Sequence, residues 1–247
     1  MLRLRQIAIV ARDLEPVVAE LQKELGVEVA FRDPGVDTFG LHNAVMPIGN
    51  QFLEVVAPIQ ENTAAGRYLD RRKGDGGYMV ILQCDEHASR KARLGGELNV
   101  RFAMAHDGKH YNVLQLHPQD TGGSFLEIDQ QVGGEDMENG PWEPAGPDWH
   151  KARRTEVVGG INAAVIQSED PARLAARWSE LLDVPVEGGD TNPSIPLDNA
   201  TLMFVKAHDG RGEGLAGIYL APGHDPQLPK RVNICGMDIQ VEGAAPA

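Results

Sequence analysis

The chain has 247 residues, a formal net charge of −13 and a sequence pI near 5.0. Its length suits one large domain or two small ones, and its 42% hydrophobic and 24% charged residues are those of a globular protein. The acidic balance excludes the basic footprint that nucleic-acid binding requires. Two cysteines, Cys84 and Cys235, exclude a disulfide framework and are expected as reduced, buried thiols. No apolar run reaches the length of a membrane span. The first residues lack the apolar core of a secretory signal, so a cytoplasmic location is expected.

Residues 4–11 read as a strand. Asp13 stands at a helix N-cap position, and Val17, Val18, Leu21 and Leu25 repeat at helical spacing up to Gly26. Strand-like runs follow at 27–32, 39–46 and 51–57, separated by the turn signals Asp33-Pro34-Gly35 and Gly49-Asn50. This is a βαβββ unit. Residues 63–69 read as a short linking helix, with Arg71 and Arg72 beyond it expected at the surface. The pattern then recurs as a strand at 77–84, Asp85 as cap, a helix over 86–94, and strands near 98–105, 111–117 and 124–130. Phe52-Leu53-Glu54 returns as Phe125-Leu126-Glu127, 73 residues on, and Asp13 returns as Asp85, 72 residues on. A fixed period of this length marks a duplicated unit.

Residues 133–155, rich in glycine, proline and acidic side chains, read as a surface connector pinned by Trp142 and Trp149. A third unit follows: a strand at 160–167, an Asp170-capped helix over 172–182, and strands near 194–197 and 201–206. Strands at 214–221 and 231–241 without a helix read as a truncated fourth unit or a closing hairpin, and 244–247 as a loose tail. The expected layout is paired modules 1–60 and 76–132 within residues 1–132, a connector over 133–155, and a third module plus truncated fourth over 156–243.

Alternation places Phe52, Glu54 and Val56 on one strand face, and Phe125, Glu127 and Asp129 on another. A carboxylate among apolar neighbours must be paired, protonated or metal-bound. His42 shares its alternation with Ala44 and Met46 and is a candidate for the pocket. His117, ten residues before Glu127, could approach from a strand end.

The strand, Asp-capped helix and three strands, with Gln6 to Gly26 and the stretch His42 to Glu54, resemble the vicinal oxygen chelate superfamily, and within it the glyoxalase-like domain proteins. That superfamily includes glyoxalase I, bleomycin-resistance proteins and extradiol dioxygenases. The resemblance implies an α+β fold in which repeated βαβββ modules form open, curled mixed sheets. It also implies ligand positions on the first and last strand of each module: Gln6, seven residues before Asp13, with Glu54, and Tyr78, seven before Asp85, with Glu127. Tyr78 stands where glyoxalase I carries a histidine. In the third module the matching positions are Ala163, or Asn162 with a one-residue slip, and Phe204, and neither pairing can hold a metal.

On this resemblance, Gln6, Glu54 and Glu127 would hold a divalent ion (Zn, Ni, Mn or Mg), with Glu127 also serving as the catalytic base. His42, Phe52, Tyr78, His117 and Phe125 would line the substrate pocket. The implied function is a metal-dependent lyase or isomerase acting on a small oxygenated metabolite by bidentate chelation. The alternatives are a metal-free small-molecule binding protein of the bleomycin-resistance type and an interaction protein with an empty barrel. The implied partners are a small-molecule ligand or substrate and, as is common in that superfamily, a second copy in a homodimer, with no nucleic acid and no membrane.

Overall fold

The computed structural model describes residues 1–134, 139–224 and 230–242; the expected tail at 244–247 lies outside them. Strand β1 (Leu2–Val10) leads into α1 (Leu14–Leu25), which buries Leu14, Val17, Val18, Leu21 and Leu25 and stops at Gly26 in the left-handed region (φ 67°). Asp13 sits at the N-cap with extended backbone, and its side chain makes no capping bond. Residues 27–32 do not form the expected strand. One isolated bridge, Phe31 to Val45, is all that pairs there, and a 3-10 turn over Pro34–Phe39 follows, started by the Asp33 side chain accepting from Gly35 N–H. Strands β2 (Leu41–Ile48) and β3 (Gln51–Pro58) make a hairpin, and α2 (Ala64–Arg72) links to the second unit.

The second unit is β4 (Gly76–Cys84), α3 (His87–Ala92) with a further turn over Arg93–Glu97, β5 (Phe102–Asp107), β6 (Tyr111–Leu116), the short helix α4 (Pro118–Thr121) and β7 (Phe125–Gln131). These strands form one seven-stranded sheet in the order β2-β3-β1-β4-β7-β6-β5. Parallel β1/β3 and β4/β7 pairs flank an antiparallel β1/β4 centre, so the two units relate by a local twofold.

The rest builds a second sheet. β8 (Val158–Ser168), α5 (Pro171–Leu182), β9 (Ser194–Pro196) and β10 (Thr201–Lys206) are followed by β11 (Gly214–Pro222), β12 (Lys230–Ile234) and β13 (Met237–Val241). The order is β12-β13-β11-β8-β10-β9. β11 pairs β13 in parallel as β8 pairs β10, around an antiparallel β8/β11 centre, with no helix between β11 and β12 among the described residues. The fold is thus mixed α+β with two open mixed sheets of repeated βαβββ-like units.

The helix-side faces of both sheets share one apolar core, in which α1 supplies Leu14, Leu21 and Leu25, and α5 supplies Leu174, Trp178 and Leu181. Side-chain hydrogen bonds join the halves. The Gln51 amide spans Ile161 N–H and C=O, Asn199 does the same for Leu4, and buried Arg72 donates to the carbonyls of Arg211, Gly212 and Glu213. Arg72 is therefore an internal tie rather than the expected surface cation. Both cysteines are free; Cys84 is buried and Cys235 is half-buried. No helix among the described residues is long and apolar enough to cross a membrane.

Candidate acid/base site

The opposite face of the first sheet holds a second apolar cluster, including Ala8, Phe52, Tyr78, Met79, Ile81, Trp142 and Trp149. Two β-bulges in β1/β4 decide which side chains reach it. The pairing runs Leu4–Leu82 then Gln6–Ile81, and Ala8–Met79 then Ile9–Gly77, so Arg5 and Tyr78 are the extra residues. A bulge lets two consecutive side chains point the same way. Arg5 and Gln6 therefore both face the site, as do Tyr78 and Met79.

The register also fixes equivalence. Gln6 pairs Phe52, two residues before Glu54, and Met79 pairs Phe125, two residues before Glu127. Met79, not Tyr78, is therefore the counterpart of Gln6. Counting from Asp85 misses by one residue because the N-cap of α3 is Glu86. The 73-residue offset of the Phe-Leu-Glu repeat gives Met79 directly. In the second sheet, Ala163 pairs Thr201, so the counterpart of Glu54 is Met203 rather than Phe204, which packs on Trp178 in the core.

Glu54 is 8% exposed. Its Oε1 accepts from Asn43 Nδ2 at 2.7 Å and its Oε2 from Gln6 Nε2 at 2.8 Å. Burial pushes its pKa up to about 7; the two amide donors oppose this, and the charges of Glu127 and Asp33 add to it. Glu127 is equally buried and is also pushed upward by burial, against hydrogen bonds from its surroundings that include Gln115 Nε2 at 3.1 Å. Asp129, fully buried beside Glu127, is driven well above the usual carboxylate range by burial and by the Glu127 charge. Its Oδ2 accepts from Tyr111 Oη at 2.5 Å, and its Oδ1 has no hydrogen-bond partner among the described residues. Two adjacent buried carboxyls titrate as a pair, and Asp129, the more strongly raised of the two, holds its proton more firmly than Glu127.

The connector closes over this face. Trp142 and Trp149 are 1% and 2% exposed. Trp142 stacks on Phe52 (interplanar 8°), meets Tyr111 edge-on, and donates its indole N–H to Gln6 Oε1 at 2.7 Å. Trp149 meets Phe52 edge-on. Buried Arg5 lies 5.1 Å from the Phe52 ring centre and 5.4 Å from that of Trp142, and donates to the carbonyls of Asn50 and Gly140. Burial lowers its pKa to about 9. Outside Trp142 lies a depression of about 390 Å³ walled by Phe31, Asp33, Gln131, Pro141 and Glu143.

Of the residues expected at the site, Gln6, Glu54, Glu127 and Phe52 meet on this face. Tyr78 and Phe125 form an aromatic group with Tyr68 beside it (Tyr78 to Phe125 4.9 Å, Tyr78 to Tyr68 5.0 Å). His42 does not join them; its alternation partners Ala44 and Met46 lie in the helix-side core, and its neighbour Asn43 takes the inward position. His117 instead starts α4, accepting from Gln119 N–H through Nδ1. Asn43, Gln115, Asp129, Tyr111, Trp142 and Arg5 are additions. Strand alternation carried a signal for Asp129, two residues beyond Glu127. The sequence marked Trp142 as a residue pinning the connector but not as a site residue, and nothing local marked Arg5, whose placement depends on a bulge.

These residues do not fit a chelated dication. Gln6 turns its amide nitrogen to Glu54 and its oxygen to Trp142. Both Glu54 oxygens face N–H donors. The fourth position is a Met79 thioether, a poor partner for a hard ion. Among the described residues, no three His, Cys, Asp or Glu side chains gather as a metal site.

Two βαβββ-like units paired in one open mixed sheet are the architecture of a glyoxalase-like protein. A glyoxalase-like domain family matches residues 7–182, and the chain belongs to that family. The human mitochondrial methylmalonyl-CoA epimerase is 26% identical over 132 residues, covering 52% of this chain and 73% of that protein. An ethylmalonyl-CoA/methylmalonyl-CoA epimerase of Cereibacter sphaeroides is 26% identical over 132 residues, covering 52% of this chain and 97% of that protein. A crystal structure of a hypothetical protein from Staphylococcus aureus superposes with a TM-score of 0.72 at 13% identity, covering 98% of this chain and 100% of that one, which shows the fold alone.

Proposed function

We propose that the chain is an isomerase-type enzyme that moves a proton on a carbon next to a carbonyl of a small oxygenated metabolite. The observation that carries this is Glu54, a buried carboxyl whose pKa of about 7 suits a general base at neutral pH, in electrostatic contact with Glu127 from the other half of the sheet. Glu54 as carboxylate takes the proton, leaving an enolate. The Glu127–Asp129 pair, whose shared proton sits mainly on Asp129, returns a proton through Glu127 from the other module's side, and the configuration at that carbon inverts. The residue expected as sole base, Glu127, becomes the acid of the pair. The depression outside Trp142 is the way in. The names of the epimerase relatives support a thioester of a branched dicarboxylic acid as the first substrate to try.

The test is exchange of the substrate's α-proton for deuterium in D₂O, followed by proton NMR on methylmalonyl-CoA and on 2-oxoaldehyde adducts. Wild type is expected to catalyse exchange, and Glu54→Gln and Glu127→Gln to lose it by about 100-fold or more. Wild-type exchange persisting in Glu54→Gln would overturn the assignment. A second reading, a metal-free binding protein, is favoured by the rings of Trp142 and Trp149 covering the face. Tight binding of such compounds without exchange would select it.

A further inference from the structure

The Gln6 side chain is held at both ends, and the two contacts are not interchangeable. An indole nitrogen only donates, so Trp142 admits a single flip of the Gln6 amide, with oxygen toward the indole and nitrogen toward Glu54. Asn43 is locked in the same sense: its Oδ1 accepts the Asp33 backbone N–H at 2.8 Å, which commits its nitrogen to Glu54. The Glu54 carboxyl is thus clamped between two N–H groups. A cation at this place would need the opposite arrangement, with the Gln6 oxygen turned inward. The remaining member of the four-position set, Met79, receives only a long contact from Gln115 Nε2, 3.9 Å to its sulfur.

We propose that Trp142 is a positioning residue. By fixing the Gln6 amide it makes the centre a metal-free carboxyl clamp and denies a dication the oxygen it would need. The indole sits on Phe52 and against Tyr111 from a segment outside the sheet, so the connector sets the chemistry of this sheet face. The purpose of the clamp rests on the reading of Glu54 as the proton-transfer group. Its existence is tested without any substrate, so failure of one is distinguishable from failure of the other.

The experiment is Ni²⁺ titration of the untagged full chain, with bound metal read by equilibrium dialysis and elemental analysis. Wild type, Met79→His, Trp142→Phe and the double variant Met79→His/Trp142→Phe are compared. Phenylalanine keeps the ring stack and removes the N–H; histidine supplies the fourth donor at the register position of Met79. The double variant is expected to bind Ni²⁺ at least about tenfold more tightly than Met79→His alone, as loss of an orienting partner changes metal affinity. Wild type is expected to bind more weakly than either. Equal affinity of Met79→His and the double variant would overturn the proposal, as would absence of binding by a folded double variant. Gln6→Glu covers the case in which the double variant does not fold. It keeps an oxygen for Trp142 and replaces the donating nitrogen with an oxygen, so it is expected to gain Ni²⁺ with Trp142 intact. No gain in that variant would show that the amide nitrogen is not what excludes the ion.

Discussion

Replacing Glu54 with glutamine should change how stability depends on pH more than it changes stability at any one pH. The Glu54 carboxyl is held up to about 7 in the folded chain, against 4.5 as the ordinary value. Its folded pKa is raised, so its contribution is fully present below about pH 4.5 and is lost as pH rises through about 7. Between those values the folded state keeps a proton that the unfolded state releases, and each pH unit removes about 1.4 kcal/mol. Across two and a half units the loss is about 3 kcal/mol, an upper bound because solvent penetration relaxes it. Glu54→Gln has no proton to keep. It loses one of the two amide contacts, from Asn43 or Gln6, because its own NH₂ opposes one of these donors, at about 1–3 kcal/mol for a buried group left unpaired. The variant should therefore be the less stable at pH 4.5 and approach or overtake wild type by pH 8. Urea unfolding of both chains from pH 4.5 to 8, with the difference plotted against pH, is the measurement. Parallel curves would refute the argument, because they would place Glu54 with an ordinary pKa in spite of its burial.

Tyr111→Phe removes the 2.5 Å donor to Oδ2 of the fully buried Asp129 carboxyl; a loss of about 1–3 kcal/mol in urea unfolding is expected. Gln51→Ala leaves the Ile161 N–H without its side-chain acceptor inside the joint between the sheets, and unfolding should show a drop of about 1–3 kcal/mol. His42→Gln, on the helix side of the sheet, should leave α-proton exchange within about twofold of wild type, since the residue touches none of the site's carboxyls. A large loss of exchange there would place His42 in the site after all.

Much of the fold was legible because its signals are local. Helical spacing over 14–25 and 171–182, alternation in β3 and β7, and the Phe-Leu-Glu repeat all act over a few residues. The strand expected at 27–32 failed for a physical reason: Ala30 and Phe31 meet its partner edge on β2 at the single residue Val45, and the Asp33-Pro34-Gly35 turn winds into a 3-10 segment instead of reversing the chain. The two carboxyls of the site were legible from alternation alone. Their partners were not, because Asn43 and Gln115 are ordinary strand amides until the register puts Asn43 beside Glu54 and pairs Gln115 with Glu127.

The one-residue error at Tyr78 shows what sequence counting can miss. A bulge adds a residue to one strand and leaves its partner unchanged, so a ligand position counted from a helix cap moves by one wherever cap and bulge are not conserved together. Here the cap moved from Asp85 to Glu86, while both bulges kept their place just before Gln6 and Met79. The second bulge turns Tyr78 toward Tyr68 and Phe125, and the first turns Arg5 into the rings of Phe52 and Trp142. The equivalent extra residues of the two units thus became aromatic and cationic packing groups, while the positions beside them became an amide and a thioether. With the connector's indole fixing the amide, the same backbone that would array four donors around an ion instead surrounds one carboxyl with N–H groups. It keeps that carboxyl poised near neutrality, and across the sheet it buries a second one whose pKa is raised and which titrates together with Asp129.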